Sequence, residues 1–144
     1  MKKLIYLLAI AFVASLAGAC TGDSDYDALP RTISTFVTQY WPDPDVASYT
    51  HPSADTYVVV IKGGPRITFG SDYQWTRIDG CGMPLQQVLL FDQLPSPLYR
   101  YLEEGEYLGQ VFLATRNPRR YGLLLLSDTI TYDVATARVI QTGL

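Results

Sequence analysis

Few residues of this chain could perform chemistry. It has one histidine, His51, and two cysteines, Cys20 and Cys81, among 144 residues. A hydrolase needs a nucleophile, a base and a group that orients the base, but no serine elbow, phosphate-binding loop or paired metal ligands accompany His51. The sequence therefore predicts a protein that is not an enzyme and that binds neither a metal ion nor a cofactor.

Two further groups of polar residues have simple structural explanations. Cys81 stands between two glycines, where a turn would expose it, and no second cysteine or histidine lies nearby to activate its thiol. We expect an unpaired thiol in a loop. The acidic cluster Glu103, Glu104 and Glu106 closes a predicted helix, where we expect solvated side chains; an ionic contact patch is the alternative.

The N-terminus has the pattern of an export signal. Two lysines precede an apolar run over residues 4–14, which is shorter than the roughly 20 residues that span a bilayer and has the length of a signal-peptide core. Leu16 to Cys20 (LAGAC) resembles the lipobox of bacterial lipoproteins, with the leucine four residues before the cysteine rather than three. The resemblance implies that residues 1–19 are a signal peptide, that Cys20 is lipidated, and that the anchor lies in the cell envelope, periplasmic or on the outer-membrane surface. The alternative is an ordinary secretory signal.

Charge and composition describe the chain after cleavage. Removal of residues 1–19 removes two lysines and changes the formal net charge from −3 to −5, so no basic excess is left to bind nucleic acid. Residues 20–28 are polar and acidic and are predicted to form a lipidated tether. With 48% hydrophobic and 12% aromatic residues, the rest is predicted to fold as one domain rather than to stay disordered.

An internal repeat organises residues 29–144. Leu29-Pro30 recurs as Leu94-Pro95, 65 residues later, and apolar residues spaced i, i+3, i+4 follow each pair, as on one face of a helix. These residues are Ile33, Phe36, Val37 and Tyr40 in the first copy, and Leu98, Tyr101 and Leu102 in the second. Residues 29–83 are therefore predicted to be the first repeat, and residues 84–144 a linker and the second repeat.

Strand patterns follow each predicted helix. Residues 57–61 match 121–125 at an offset of 64, and residues 67–69 match 130–132 at an offset of 63. Strands are predicted over 46–51, 56–62, 66–70, 74–79, 110–115, 120–126, 129–133 and 138–141. Two copies of a helix plus four antiparallel strands would join edge to edge, giving an α+β fold with one continuous eight-stranded sheet and the helices on one face. The apolar connection between the copies is expected to pack on the sheet.

The order of these motifs resembles a known family. Tyr40-Trp41-Pro42 follows the first helix, and residues 69–79 read FGSDYQWTRID. They are similar to the Y-P and F-D-x-x-G-x-W-x-x-I-D segments of PepSY-like domains, which are grouped as β-lactamase-inhibitor-like proteins. Gly70 and Tyr73 replace the family's aspartate and glycine, and Arg138 occupies the position of Trp75 in the second half. The resemblance covers residues 27–144 and implies a sheet that binds a protein or peptide, as an inhibitor-like module.

Alternation along the strands predicts a candidate binding face that points away from the helices. Strands 66–69 and 129–132 alternate as half-buried antiparallel strands do. The candidate residues are Arg66, Thr68, Trp75, Arg77, Thr129, Thr131 and Arg138. Some of the 11 tyrosines are expected to share this face, because aromatic residues are enriched on recognition surfaces; the alternative is that they line the core and its rim.

The function predicted from these observations is binding rather than catalysis. We expect a lipid-anchored envelope protein that binds an unidentified envelope protein or peptide through its exposed sheet face. The alternative is a periplasmic or surface module that binds a small molecule or glycan, which needs a deep pocket of about 300 Å³ or more. A purely structural component of an envelope complex is a third class.

Overall fold

Eight antiparallel strands form a single sheet in which each strand pairs with the next one along the chain. A computed structural model describes residues 25–144. The strands are β1 (Val46–Ser53), β2 (Thr56–Ile61), β3 (Arg66–Phe69), β4 (Trp75–Asp79), β5 (Leu113–Arg116), β6 (Arg120–Leu124), β7 (Asp128–Asp133) and β8 (Arg138–Gly143). The predicted eight-stranded antiparallel sheet is confirmed, and only β5 begins more than one residue from its predicted start. The predicted signal peptide and Cys20 lie outside the described residues.

Within residues 25–144, three α-helices complete the α+β fold: α1 (Arg31–Tyr40), α2 (Gln87–Gln93) and α3 (Ser96–Glu104). Pro30 and Pro95 immediately precede α1 and α3, where the fixed φ of proline suits entry into a helix. Helix α2 was not predicted from the sequence, because seven residues are too few to show a clear helical period. None of the helices within residues 25–144 is long and apolar enough to cross a bilayer.

One face of the sheet, here called the covered face, carries a row of apolar side chains across six strands. In register from β2 to β7, the row is Val59, Ile67, Ile78, Ala114, Leu123 and Ile130. Each of them is at most 3% exposed, and they cluster with buried side chains of all three helices. Full burial of a valine, leucine or isoleucine side chain contributes about 1.5–3 kcal/mol, so this contact is a main source of stability.

Hydrogen bonds connect β4, α2 and α1 at the edge of this core. Trp75 Nε1 donates to Gln93 Oε1 at 2.9 Å, and Gln93 Nε2 donates to the Tyr40 hydroxyl at 2.7 Å. That hydroxyl in turn donates to Asp92 Oδ2 at 3.1 Å. Because Trp75 and Tyr40 are buried, the loss of one partner would leave a buried polar group unsatisfied.

The Tyr40 hydroxyl is expected to make the free energy of unfolding change with pH in the alkaline range. Burial raises its pKa above the ordinary value of 10.0, the hydrogen bond from Gln93 opposes this, and Asp92 adds to it. The raised pKa stabilises the folded state fully below the unfolded pKa, and this contribution is lost as the pH rises through the folded pKa. We therefore expect the free energy of unfolding to fall above about pH 10, and to fall less steeply in Tyr40→Phe. Urea unfolding of both proteins at several pH values measures this, and equal slopes would contradict it.

The folded body begins before the predicted end of the tether. Asp25–Ala28 forms a short 3-10 helix, and Asp25 Oδ2 accepts a hydrogen bond from the backbone N–H of Tyr49 at 3.2 Å. The hydroxyl oxygens of Tyr26 and Thr38 are 2.8 Å apart. Residues 25–28 are therefore part of the fold and not of a tether, because side-chain contacts that composition does not reveal hold them against α1 and β1.

Candidate functional site

The strand residues that alternate with those of the covered face point to the other side of the sheet and form a second surface, here called the open face. Its first row, from β1 to β8, is Ser48, Val60, Arg66, Asp79, Leu113, Leu124, Thr129 and Thr142. Its second row is Thr50, Val58, Thr68, Arg77, Thr115, Gly122, Thr131 and Ile140. A third row on the last three strands is Arg120, Asp133 and Arg138. None of these residues belongs to the core cluster or packs against it.

Strand register brings six of the seven predicted site residues together on the open face. Arg66 and Thr129 lie in the first row and Arg138 in the third. The members of the second row are Thr68, Arg77 and Thr131. The predicted residues therefore extend from β3 to β8 on one surface.

Trp75 does not lie on this face, and its predicted placement there is wrong. The side chain is 2% exposed and packs in the core. Plain alternation would turn Trp75 and Arg77 to the same side, but Thr68 pairs with Arg77 whereas Phe69 pairs with Trp75. The extra residue, Thr76, makes a β-bulge, and a bulge reverses the face on which the following residues point.

Aromatic side chains are also absent from the open-face positions named above. Tyr40 and Tyr132 are buried, and eight other tyrosines pack against the core. For the tyrosines within residues 25–144, the expectation of a place on the open face is therefore wrong, and the alternative, core and rim, is confirmed. A tyrosine suits the rim because its ring packs while its hydroxyl reaches a polar partner, as the Tyr101 hydroxyl does with Gln141.

The open face is positively charged although the protein is acidic. Its charged residues are Arg66, Arg77, Arg120, Arg138, Asp79 and Asp133. The remaining residues of the described range 25–144 carry five basic and eleven acidic side chains. The net charge of the open face is therefore positive, whereas that of the rest of residues 25–144 is negative.

The first positive cluster lies on β3 and β4. Arg77 Nη2 is 3.3 Å from Asp79 Oδ2, and Arg66 is the register partner of Asp79 on the neighbouring strand. One carboxylate thus stands beside two guanidinium groups. Because a guanidinium carries five N–H donors, this cluster keeps donors for an external acceptor.

The second positive cluster lies on β6, β7 and β8. Asp133 stands opposite Arg120 on one side and Arg138 on the other. Hydrogen bonds donated by Thr136, with a smaller contribution from Arg120, hold the pKa of Asp133 below its ordinary value. An open cleft of about 440 Å³ is lined by these four residues together with Thr131 and Ile140.

The strip between the two clusters contains apolar residues. Leu113 and Leu124 are half-buried register partners at the centre of the sheet. Beside them Gly122 has no side chain, and a Cβ there would approach Thr115 Oγ1 to 2.7 Å. The open face therefore offers an apolar floor with a positive cluster at each end.

A second candidate site lies at the end of the sheet where β4 meets β5. Arg116 Nε donates to the backbone oxygen of Trp75 at 2.6 Å, and Arg116 Nη2 donates to Gln74 Oε1 at 3.2 Å. The guanidinium carbon lies 4.3 Å from the centre of the Trp75 ring. The guanidinium faces an open cleft of about 390 Å³ whose walls include Pro95, Pro118 and Tyr121. Sequence reasoning missed Arg116, because its role depends on a partner 41 residues earlier.

The two residues with reactive side chains are held in ordinary structural settings. His51 is exposed on β1, stacks on Tyr57 with ring centres 4.1 Å apart, and its Nδ1 is 2.9 Å from the Thr56 backbone oxygen. Cys81 is an exposed free thiol at a turn residue with φ of 53°, as the sequence predicts. Its backbone N–H donates to Asp79 Oδ1 at 2.9 Å.

Sequence comparisons give little. No family model matches the chain. The α subunit of phenylalanine–tRNA ligase from Rhizobium etli and from Rhizobium johnstonii is 29% identical over 91 residues, which are 63% of this chain and 24% of the ligase subunit. The chain thus spans about a quarter of the length of these curated relatives, and the likeness carries no activity to it.

Solved structures show a similar fold. A protein of Bacteroides vulgatus described as a periplasmic member of the DUF2874 family is 21% identical, with a TM-score of 0.66 over 82% of this chain and 93% of that one. A protein of Bacteroides thetaiotaomicron described as calcium-regulated and periplasmic is 18% identical, with a TM-score of 0.64 over 82% and 93%. A second periplasmic protein of Bacteroides vulgatus, of unknown function, is 18% identical, with a TM-score of 0.66 over 83% and 95%.

Proposed function

We propose that this protein is a non-enzymatic module of the bacterial cell envelope that binds an acidic segment of a protein or peptide across its open face. The observation that carries the proposal is the excess of arginine on this face of an otherwise acidic protein. Complementary charge steers association and disfavours partners of the wrong sign. Arginine in particular binds carboxylates through two parallel hydrogen bonds.

The arrangement of the clusters favours an extended partner. From Arg77 on β4 to Arg138 on β8 the path crosses four strand spacings and one row, about 20 Å at ordinary sheet dimensions. An extended chain covers that distance in about six residues. The matching partner thus carries two acidic groups about six residues apart, with apolar or small side chains between them for the floor at Leu113 and Leu124.

Location and family belong to the same proposal. The export signal and the LAGAC segment ending at Cys20 support a lipid-anchored envelope protein, and the structural neighbours described as periplasmic support the same compartment. The motif over residues 69–79 supports a PepSY-like, β-lactamase-inhibitor-like assignment with an inhibitor-like role. The order of one helix and four strands in each half, with α2 in the connection, supports a duplicated unit whose helices cover one face.

The second candidate function, binding of a small molecule or glycan, is supported by the Arg116 cleft. Its volume of about 390 Å³ is within the range of ligand sites. Its position on the covered side, away from the open face, makes the two functions separable by substitution.

The open-face proposal is tested with two charge-matched double variants. In Arg66→Glu with Arg138→Glu, both positive clusters are inverted; in Arg31→Glu with Arg100→Glu, two exposed helix residues change by the same charge. We expect affinity for a glutamate-containing peptide, measured by isothermal titration calorimetry, to fall at least about 10-fold in the first variant, because carboxylates lose charge-assisted partners. The second variant should change this affinity less than about 3-fold, because salt screens charges that lie far from the bound peptide.

Photo-crosslinking in intact cells tests the same proposal, with probes placed at Thr68 and Thr131, two open-face threonines on β3 and β7. The same partner should be captured from both positions and lost in the open-face variant only. An equal loss of binding in both variants would show that binding depends on net charge and not on the open face. Unchanged binding in both variants would overturn the proposal.

A further inference from the structure

Arg116 is held in a fixed orientation before any ligand arrives. Two of its N–H groups are used on the Trp75 backbone oxygen and on Gln74, and its flat face lies on the Trp75 ring. Trp75 itself is fixed by Gln93 and by burial. A guanidinium held in this way loses little conformational entropy when it binds a further acceptor.

No acidic side chain within residues 25–144 forms an ion pair with this guanidinium. Within residues 25–144 the ion pairs are Lys62–Asp45 and Arg77–Asp79, and neither involves Arg116, whose side chain is half-buried. Partial burial removes water from a charge, and a carboxylate partner normally offsets that cost. Stacking on tryptophan offsets only part of that cost.

We propose that the cleft beside Arg116 is a binding site for a single carboxylate carried on an apolar body, such as a peptide C-terminus or a small aromatic acid. Three observations together carry this assignment: the fixed guanidinium, the lack of an ion pair to it within residues 25–144, and the apolar walls formed by Pro95, Pro118 and Tyr121. The site lies apart from the open face and does not depend on the function proposed for it.

Asp72 limits how much negative charge a ligand of this cleft can carry. It lines the same cleft, where its Oδ1 accepts the backbone N–H of Gln74 at 3.0 Å. A carboxylate on the wall repels a second negative charge on the ligand. The cleft therefore selects monoanions over inorganic phosphate or a dicarboxylate, and Asp72→Asn weakens this selection.

Nuclear magnetic resonance of the ¹⁵N-labelled protein tests the site through the Nε–H signals of Arg116 and the Nε1–H signal of Trp75. The probes are acetyl-Ala-Ala-Phe as the free acid, the same peptide as the amide, phenylacetate and inorganic phosphate. We expect saturable shifts with the free acid and at least about 10-fold weaker binding of the amide, which lacks the charged acceptor. Tighter binding of the peptide than of phenylacetate identifies a peptide C-terminus as the source, and the reverse order identifies a small acid.

Two matched variants complete the test. Arg116→Lys keeps the charge but loses the two parallel N–H donors and the flat face that stacks on Trp75, and we expect at least a 10-fold loss of affinity. Arg31→Lys, at an exposed position on α1 outside both proposed sites, should leave the affinity unchanged. Asp72→Asn should bind phosphate more tightly than the wild type does. Equal affinity for the free acid and the amide, or phosphate binding as tight as that of the acid, would overturn the proposal even if Arg116→Lys fails to fold.

Discussion

Trp75→Ala is expected to lower the free energy of unfolding by about 3–5 kcal/mol, the range for removing a large buried aromatic side chain. The Trp75 ring is 2% exposed, packs near Tyr121 with ring centres 6.3 Å apart, and lies beneath Arg116. Its removal also leaves Gln93 Oε1 without its donor. Urea unfolding followed by far-ultraviolet circular dichroism gives the free-energy difference.

Two control variants separate the contributions to this effect. Trp75→Phe keeps most of the apolar surface and removes the donor to Gln93, so we expect a loss of about 1–3 kcal/mol. Trp41→Ala removes the same side chain from a half-buried position on the rim, 5.9 Å from the Tyr40 ring, and should cost less than Trp75→Ala. If the two alanine variants were equally stable, the central place of Trp75 in the core would be refuted.

This result bears on how the open face is studied. A binding defect in Trp75→Ala would report a weakened core and not a lost contact, because the indole ring lies on the covered face. Arg77, two residues later, is half-exposed and does lie on the open face. Charge changes at open-face arginines are therefore the informative substitutions there.

Much of the fold could be predicted because its signals are local. The 3.6-residue spacing of Ile33, Val37 and Tyr40 and the two-residue alternation of Ile67 and Phe69 both agree with the buried residues of the structure. Helix α2 could not be predicted, because its seven residues include two adjacent buried leucines and no periodic run of apolar residues. The tyrosines were misplaced because composition alone does not distinguish a recognition surface from the rim of a core.

The site was less predictable because it depends on register between distant residues. Because of the bulge at Thr76, Trp75 points to the opposite face from Arg77. No glycine or other local signal in that strand predicts the bulge. The Arg116 cleft requires β4 to lie beside β5, so that Trp75 and Arg116 meet. The segregation of charge likewise emerges only when alternation in eight strands is combined with the pairing of each strand.

Gly80→Ala is expected to lower the free energy of unfolding by about 2–3 kcal/mol, a typical cost of overpacking. Gly80 is buried after β4, where its N–H donates to the Phe112 backbone oxygen at 2.8 Å. A Cβ there would lie 1.9 Å from the Met83 carbonyl oxygen and 3.0 Å from that of Phe112, so the backbone of the turn must move.

Gly109→Ala is the matched control for this substitution, since a Cβ at Gly109 meets no atom within 4 Å. We expect its stability to stay within about 0.5 kcal/mol of the wild type or to rise slightly, because alanine restricts the unfolded chain. Thermal and urea unfolding of both variants measure the difference. Since the turn at Gly80 leads from β4 into the chain that returns as β5, its distortion should also loosen the β4–β5 pairing. Faster amide hydrogen exchange at Ile78 and Ala114 in Gly80→Ala than in Gly109→Ala would show this, whereas equal exchange and equal stability would refute the tight turn.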